Sequence, residues 1–175
     1  SAKVGMFFSF VFKSSFPKRS AKIESFFFFT NSTVKMFSFK SMIHKSMHYK
    51  FSYNNPHSHF INIELSIDTG SKERITLHLP SWRPGRYEIA NFAKNILNIS
   101  AEGNKKKELS CEKISKDSWE VDCSNEKIAT INYQYYAFVM DAGNSWLDEE
   151  QLYLNFINCA IYAEGYQEQP CTVSL

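Results

Sequence analysis

The sequence lacks the short motifs that carry most hydrolytic and nucleotide chemistry. No H-E-x-x-H string is present, so the two histidines and the glutamate of a helical zinc peptidase site are not encoded together. A G-x-S-x-G elbow, a P-loop and a dinucleotide-binding glycine pattern are also missing. We therefore predict that this chain alone is inactive as a peptidase, a serine hydrolase or a nucleotide-dependent enzyme.

Cysteine is sparse and long apolar runs are absent from the early part of the chain. The four cysteines form no C-x-x-C pair, which gives no indication of a zinc ribbon or a redox motif, and we expect them to be reduced and packed. The runs Met6 to Phe12 and Phe26 to Phe29 are far shorter than the roughly 20 residues of a membrane helix. We expect no transmembrane segment.

Two kinds of sequence meet near residue 46. Residues 1–46 hold eleven of the sixteen phenylalanines and eight basic residues against one acid. Residues 47–175 hold 12 basic and 17 acidic residues, a net charge of −5, which does not favour nucleic acid as a partner. We predict that 1–46 is a non-native or disordered leader and that Met47 is the natural start, which favours the cytoplasm. The alternatives are a weak export signal and a basic tail that associates with membranes.

Hydrophobicity alternates with a period of two from Met47 onward. Residues 60–68 and 75–79 predict two half-buried strands joined by a turn into an antiparallel hairpin. Residues 118–123 and 128–139 predict a second pair of neighbouring antiparallel strands. Helical spacing is confined to one or two turns within residues 88–95. Short strands at intervals of about ten residues predict an all-β antiparallel sandwich, which ends partway through a strand and is therefore truncated at its C-terminus.

Histidine offers one candidate metal site. The string His57-Ser58-His59 would place two imidazoles on one face of a strand, where a third ligand could complete the site. The interpretation that we favour is a turn after Asn54-Asn55-Pro56, with the histidines hydrogen-bonded to nearby backbone.

Three strings occur in a characteristic order and spacing. They are Asn55-Pro56-His57-Ser58-His59-Phe60; Leu79-Pro80-Ser81-Trp82-Arg83-Pro84-Gly85-Arg86-Tyr87 followed by Asn91-Phe92-Ala93; and Tyr136-Ala137-Phe138-Val139-Met140-Asp141 leading to Trp146-Leu147-Asp148-Glu149-Glu150. Together they resemble the N-terminal domain of the glycyl aminopeptidase family, peptidase family M61, over about residues 47 to 175. Arg86 and Ala90-Asn91 depart from the pattern, since many members have Ser at the first position and an Arg-acidic pair at the second.

The resemblance implies a β-sandwich that precedes a thermolysin-like catalytic domain with an H-E-x-x-H zinc site. Members remove N-terminal residues, with Gly or Ala favoured. Residues 47–175 would thus be the non-catalytic N-terminal domain of a zinc-dependent glycyl/alanyl aminopeptidase. The domain would pack against the catalytic domain of the same parent polypeptide, with the zinc in that missing domain and none in this chain.

The resemblance also implies a role at the substrate cleft. In two-domain zinc aminopeptidases the N-terminal domain closes over the active site and can bind the free amine of the peptide substrate through polar side chains. The candidates are Asp141, Asn144, Asp148, Glu149, Asn155 and Glu164. The structural alternative is that Asp141 and Asp148 cap turns and that Trp82, Trp146 and Tyr87 belong to the core.

A second function remains open on the residues alone. Trp82, Tyr87 and Trp146 could form an aromatic platform on a free-standing β-sandwich module that binds peptide or glycan.

Overall fold

The structure is a computed structural model that describes residues 9–13, 47–83, 88–124, 126–139, 141 and 143–175, with only the backbone described for 9–13. The described strands are β1 Ser9–Lys13, β2 Met47–Ser52, β3 Phe60–Asp68, β4 Arg74–His78, β5 Ile96–Glu102, β6 Glu108–Leu109, β7 Cys111–Lys113, β8 Ser118–Asp122, β9 Ile128–Tyr136, β10 Trp146–Leu147, β11 Gln151–Asn155, β12 Tyr162–Ala163 and β13 Cys171–Ser174. The described helices are the 3-10 helices Pro56–Ser58, Phe92–Asn95 and Asn104–Lys106, and the α-helix α1 Phe156–Cys159. The predictions for the rest of the leader and for Pro84 to Tyr87 lie outside the described residues.

Two sheets share one core. The larger sheet has the order β13-β2-β3-β9-β5-β6 and the smaller has the order β12-β4-β8-β7, while a third short sheet joins β1, β11 and β10. Inward side chains of β3, such as Ile63 and Leu65, lie in the same buried cluster as Leu77 of β4 and Trp119 of β8. The alternation along β3 is complete, with every second residue buried. The predicted all-β sandwich is confirmed.

Both predicted hairpins are wrong, although the strands lie where the sequence predicts them. β3 pairs with β2 and β9, whereas β4 pairs with β8 and β12. β8 and β9 likewise belong to different sheets. Thr69 N donates to Lys127 O over 3.0 Å and Cys123 N donates to Glu73 O over 2.7 Å, so the two connections lie side by side. Each connection carries the chain from one sheet to the other. The apolar faces of the two strands that it joins therefore pack against the common core from opposite sides.

The helices in the described part of the chain are each only three or four residues long. Only the second half of the predicted 88–95 segment is helical, and its 3-10 helix buries Phe92 and Ala93. α1 packs against this 3-10 helix, at the end of the sandwich where β9 leaves the sheet. None of the described helices has the length and apolar character needed to cross a bilayer.

The four cysteines are free thiols, as the sequence analysis expects. Cys159 on α1 is fully buried, and burial raises the pKa of its thiol to about 12. This thiol therefore stays protonated at neutral pH and packs as a small apolar group.

Candidate functional site: a charged cleft beside the loop between β9 and β10

A cleft of about 250 Å³ opens beside the loop that joins β9 to β10. Its walls come from three segments: the loop after β4, the 3-10 helix Phe92–Asn95 and the loop after β9. The charged and amide side chains that line it include Arg83, Glu88, Lys94, Asp141 and Asn144. Ile89, Phe92 and Val139 supply apolar wall. The cleft therefore offers both signs of charge next to an apolar surface.

Gly143 fixes the course of the loop beside the cleft. Its φ of +94° is a conformation that residues with a side chain rarely adopt, and a Cβ atom there would collide with the guanidinium of Arg83. The Gly143 carbonyl oxygen accepts hydrogen bonds from Asn155 Nδ2 over 2.6 Å and from Asn158 Nδ2 over 2.7 Å. Glycine is needed at this position because the arginine and the two amides approach the backbone from different sides.

Buried polar groups hold the loop from behind. Asn158 Nδ2 also lies 3.2 Å from Asn144 Oδ1, and this contact orients the Asn144 amide in the cleft wall. Ser145 Oγ accepts from Asn155 N over 3.1 Å. Asn158 is fully buried, and its Oδ1 has no hydrogen-bond partner among the described residues. The loop is thus held by Asn155 at the end of β11 and by Asn158 in α1.

Arg83 and Asp141 face each other across the cleft wall. Arg83 Nη2 lies 3.9 Å from Asp141 Oδ1, and the side chains are 11% and 34% exposed. A partly buried charge pair is less screened by water than a surface pair, so each side chain restricts the position of the other. Because a third of the Asp141 side chain remains accessible, its carboxylate can be approached from the cleft.

Asp148 and Glu149 occupy the next turn of the chain. Asp148 Oδ2 accepts from Trp146 Nε1 over 2.6 Å, and Oδ1 accepts from the backbone N–H groups of Glu150 and Gln151. The Trp146 hydrogen bond and these backbone bonds lower the pKa of the Asp148 carboxyl. Asp148 therefore caps a turn. Glu149 Oε1 lies 2.7 Å from His57 Nε2, and both side chains are exposed.

Glu164 and Asn155 have other surroundings. Glu164 follows β12 in the smaller sheet, where its N–H donates to Thr76 O and its carboxylate lies 3.6 Å from His78 Nε2. Asn155 is buried behind the loop, with its amide donating to Gly143. Of the six residues that the sequence analysis proposes for the substrate amine, Asp141 and Asn144 line the cleft.

Sequence reasoning missed three charged residues of the cleft: Arg83, Glu88 and Lys94. Arg83 and Glu88 lie on either side of the Pro84-Gly85 pair, and Lys94 follows a few residues later. The available signal was the mixture of basic and acidic residues in this short segment.

The His57-Ser58-His59 string forms a turn, as the favoured interpretation predicts. Asn55 Oδ1 accepts from His57 N over 3.0 Å, and His59 adopts a φ of +59°. His59 Nδ1 lies 2.7 Å from Leu147 O. The described part of the chain contains no cluster of three His, Cys, Asp or Glu side chains able to hold a metal ion.

The aromatic residues are less buried than the structural alternative predicts. Trp82 is 58% exposed, so its assignment to the core is wrong. Trp146 packs on Phe138, with 4.3 Å between ring centroids. Tyr87 lies outside the described residues, so the three-membered aromatic platform stays untested.

Fold and cleft together define a β-sandwich module with a charged cleft beside the loop between β9 and β10. Its described strand pairs are antiparallel except for β13, which pairs with β2 in parallel and so departs from the predicted antiparallel sandwich. The family model described as the Peptidase M61 N-terminal domain matches residues 48–175. The chain belongs to this family.

A solved structure agrees with this assignment. The crystal structure of an aminopeptidase N family protein from Idiomarina loihiensis is similar, with a TM-score of 0.67 and 31% sequence identity. The match covers 73% of this chain and 21% of that one, so this chain spans about a fifth of the neighbour's length. A comparison with curated proteins finds no match for the sequence.

Proposed function

We propose that this chain is the non-catalytic N-terminal domain of a zinc-dependent glycyl/alanyl aminopeptidase. In this proposal it packs against the catalytic domain of the same parent polypeptide and forms one wall of the substrate cleft. The observation that carries the proposal is the match of residues 48–175 to the N-terminal domain of a peptidase family. In this proposal the zinc and the residues that activate water belong to the catalytic domain.

The cleft supports a role in binding the amino terminus of the peptide. A partly desolvated ammonium group requires an anionic acceptor, and Asp141 provides an accessible carboxylate whose position Arg83 restricts. Asn144 lies in the same wall with its amide oriented by Asn158. Asp148 suits this task less well, since its carboxylate already accepts three hydrogen bonds within its own turn.

The test is the substitution Asp141→Asn in the parent polypeptide, assayed with glycyl and alanyl anilides. Loss of one charged hydrogen bond to the substrate amine should lower kcat/KM by about 10- to 100-fold. The loss should come mainly from KM if Asp141 binds the amine equally in the ground and transition states. Glu164→Gln is the matched control, because it neutralises a carboxylate that pairs with His78 in the smaller sheet.

Two results would contradict the role of Asp141. One is an unchanged kcat/KM in the Asp141→Asn protein. The other is an equal loss in both variants, which would point to a general effect of removing a negative charge. A parent polypeptide without aminopeptidase activity would contradict the whole proposal.

A further inference from the structure

Four exposed apolar side chains belong to residues that line the cleft or adjoin its lining residues in the chain. They are Ile89 at 83% exposure, Trp82 at 58%, and Phe138 and Val139 at 38% each; we call this set the apolar rim. Ile89 and Val139 line the cleft, while Trp82 and Phe138 adjoin cleft residues in the chain. Single exposed apolar residues are ordinary, but a group of them around one cleft marks an interaction surface. Aromatic residues around an arginine also match the composition at the centre of protein interfaces.

Two contacts within the domain fix the Phe138 ring and the ends of the loop that carries Trp82 and Ile89. Ala90 N donates to Ser81 O over 2.8 Å, which closes the base of the loop that carries Trp82 and Ile89. The Phe138 ring stacks on His59, with 3.6 Å between ring centroids. Side chains that are already ordered lose little conformational entropy on association.

The outer face of the larger sheet has a different character. Apart from the exposed Leu97 and Ile128, its outward side chains are mostly polar, and those at its centre bond to one another: Gln134 Nε2 donates to Asn62 Oδ1, and Asn98 Nδ2 donates to Gln134 Oε1, both over 2.9 Å. A face whose polar groups already pair with each other and with water gains little from docking. This contrast favours the rim over the sheet face as an interdomain surface.

From these observations we infer that the apolar rim is the surface on which the catalytic domain docks, so that the cleft is closed from the other side by that domain. The inference rests on the proposed function and adds the location of the interface. The Idiomarina loihiensis neighbour supports a further domain of the same polypeptide as the partner at this surface, because about four-fifths of that chain lies beyond the matched part. A domain held in so much longer a chain needs a contact surface, and domain interfaces of about 600–1,500 Å² are typical.

Covalent footprinting by mass spectrometry locates the docked surface without reference to activity. The 175-residue chain and the parent polypeptide are labelled with the same carbene reagent, and labelling is compared at the rim and at Ile128. Ile128 is 47% exposed and begins β9, roughly 27 Å from the end of the strand that leads to Phe138. Labelling of Trp82 and Ile89 should fall at least about fivefold in the parent polypeptide, while labelling of Ile128 stays unchanged.

A pair of variants tests the same surface through function. Ile89→Lys should reduce hydrolysis by the parent polypeptide about tenfold or more, and Ile128→Lys should change it less than about twofold. Ile89→Lys in the 175-residue chain should leave its Tm unchanged, because this side chain is 83% exposed there. Such a result separates lost docking from lost folding.

The possible failures are distinguishable. Equal labelling of the rim in both proteins, or protection of Asn62 and Gln134 instead, overturns the docking surface even if the parent polypeptide is an active aminopeptidase. A protected rim in a parent polypeptide that cleaves no peptide supports the docking surface and contradicts the proposed function. An Ile89→Lys parent as active as the Ile128→Lys parent also overturns the docking surface.

Discussion

Gly143 connects the two halves of the cleft at the scale of a single residue. Its carbonyl oxygen accepts hydrogen bonds from the side-chain amides of Asn155 and Asn158. Because it has no side chain, it leaves space for the Arg83 guanidinium. These contacts are not visible in the sequence, because Asn155 and Asn158 follow Gly143 by 12 and 15 residues. Arg83 precedes it in a different loop. The sequence could suggest Asp141 and Asn144 as polar loop residues, but it could not show that Asp148 accepts from Trp146 or that Glu164 pairs with His78.

Gly143→Ala tests this description of the loop. The positive φ alone should cost about 1–2 kcal/mol of unfolding free energy, and displacement of Arg83 should bring the total to about 2–3 kcal/mol. Gly165→Ala is the matched control: Gly165 also has a positive φ, of +79°, but a Cβ there meets only Lys72 Nζ at 4.0 Å. Urea denaturation of both variants measures the difference. Equal destabilisation would mean that the close approach of Arg83 carries no energetic weight.

At the scale of elements, alternation predicts strands well and their partners poorly. The inward residues of β3 and β4 alternate in the same way whether the two strands form a hairpin or lie in opposite sheets, since both arrangements bury the same face. The connection at Thr69 to Glu73 decides between them through backbone hydrogen bonds to Lys127 and Cys123, which are distant in sequence. A turn-rich string between two amphipathic strands therefore could not distinguish a hairpin from a crossing between sheets.

Tyr133 joins two elements and provides a test at this scale. From the centre of β9 its hydroxyl donates to Cys159 O over 2.8 Å and accepts from Ile161 N over 3.1 Å, in a fully buried environment. Burial raises the pKa of this phenol well above its ordinary value, so it stays a neutral donor. Tyr133→Phe would leave two buried backbone groups unpaired, and we expect a loss of about 2–4 kcal/mol of unfolding free energy.

The control for Tyr133 is Tyr136→Phe at the end of the same strand, where the side chain is only half-buried. Chemical denaturation should show a loss below about 1 kcal/mol for this variant. If the two tyrosine variants are equally stable, the hydroxyl of Tyr133 does not hold α1 and β12 to the larger sheet.

At the scale of the whole molecule, composition and motif order predicted more than any single residue did. The three ordered strings indicate the family over about residues 47 to 175, and the family model matches residues 48–175. The docking surface could not be predicted in the same way, because the exposure of Trp82 and Ile89 depends on the folded course of their loop.

The proposed function places the chemistry of this protein in a catalytic domain outside these 175 residues. The direct measurement is hydrolysis of glycyl and alanyl anilides by the 175-residue chain and by the parent polypeptide, each with and without a zinc chelator. The claim predicts hydrolysis by the parent alone, and its loss with the chelator. Hydrolysis by the 175-residue chain that persists through repurification and disappears with the chelator would contradict it.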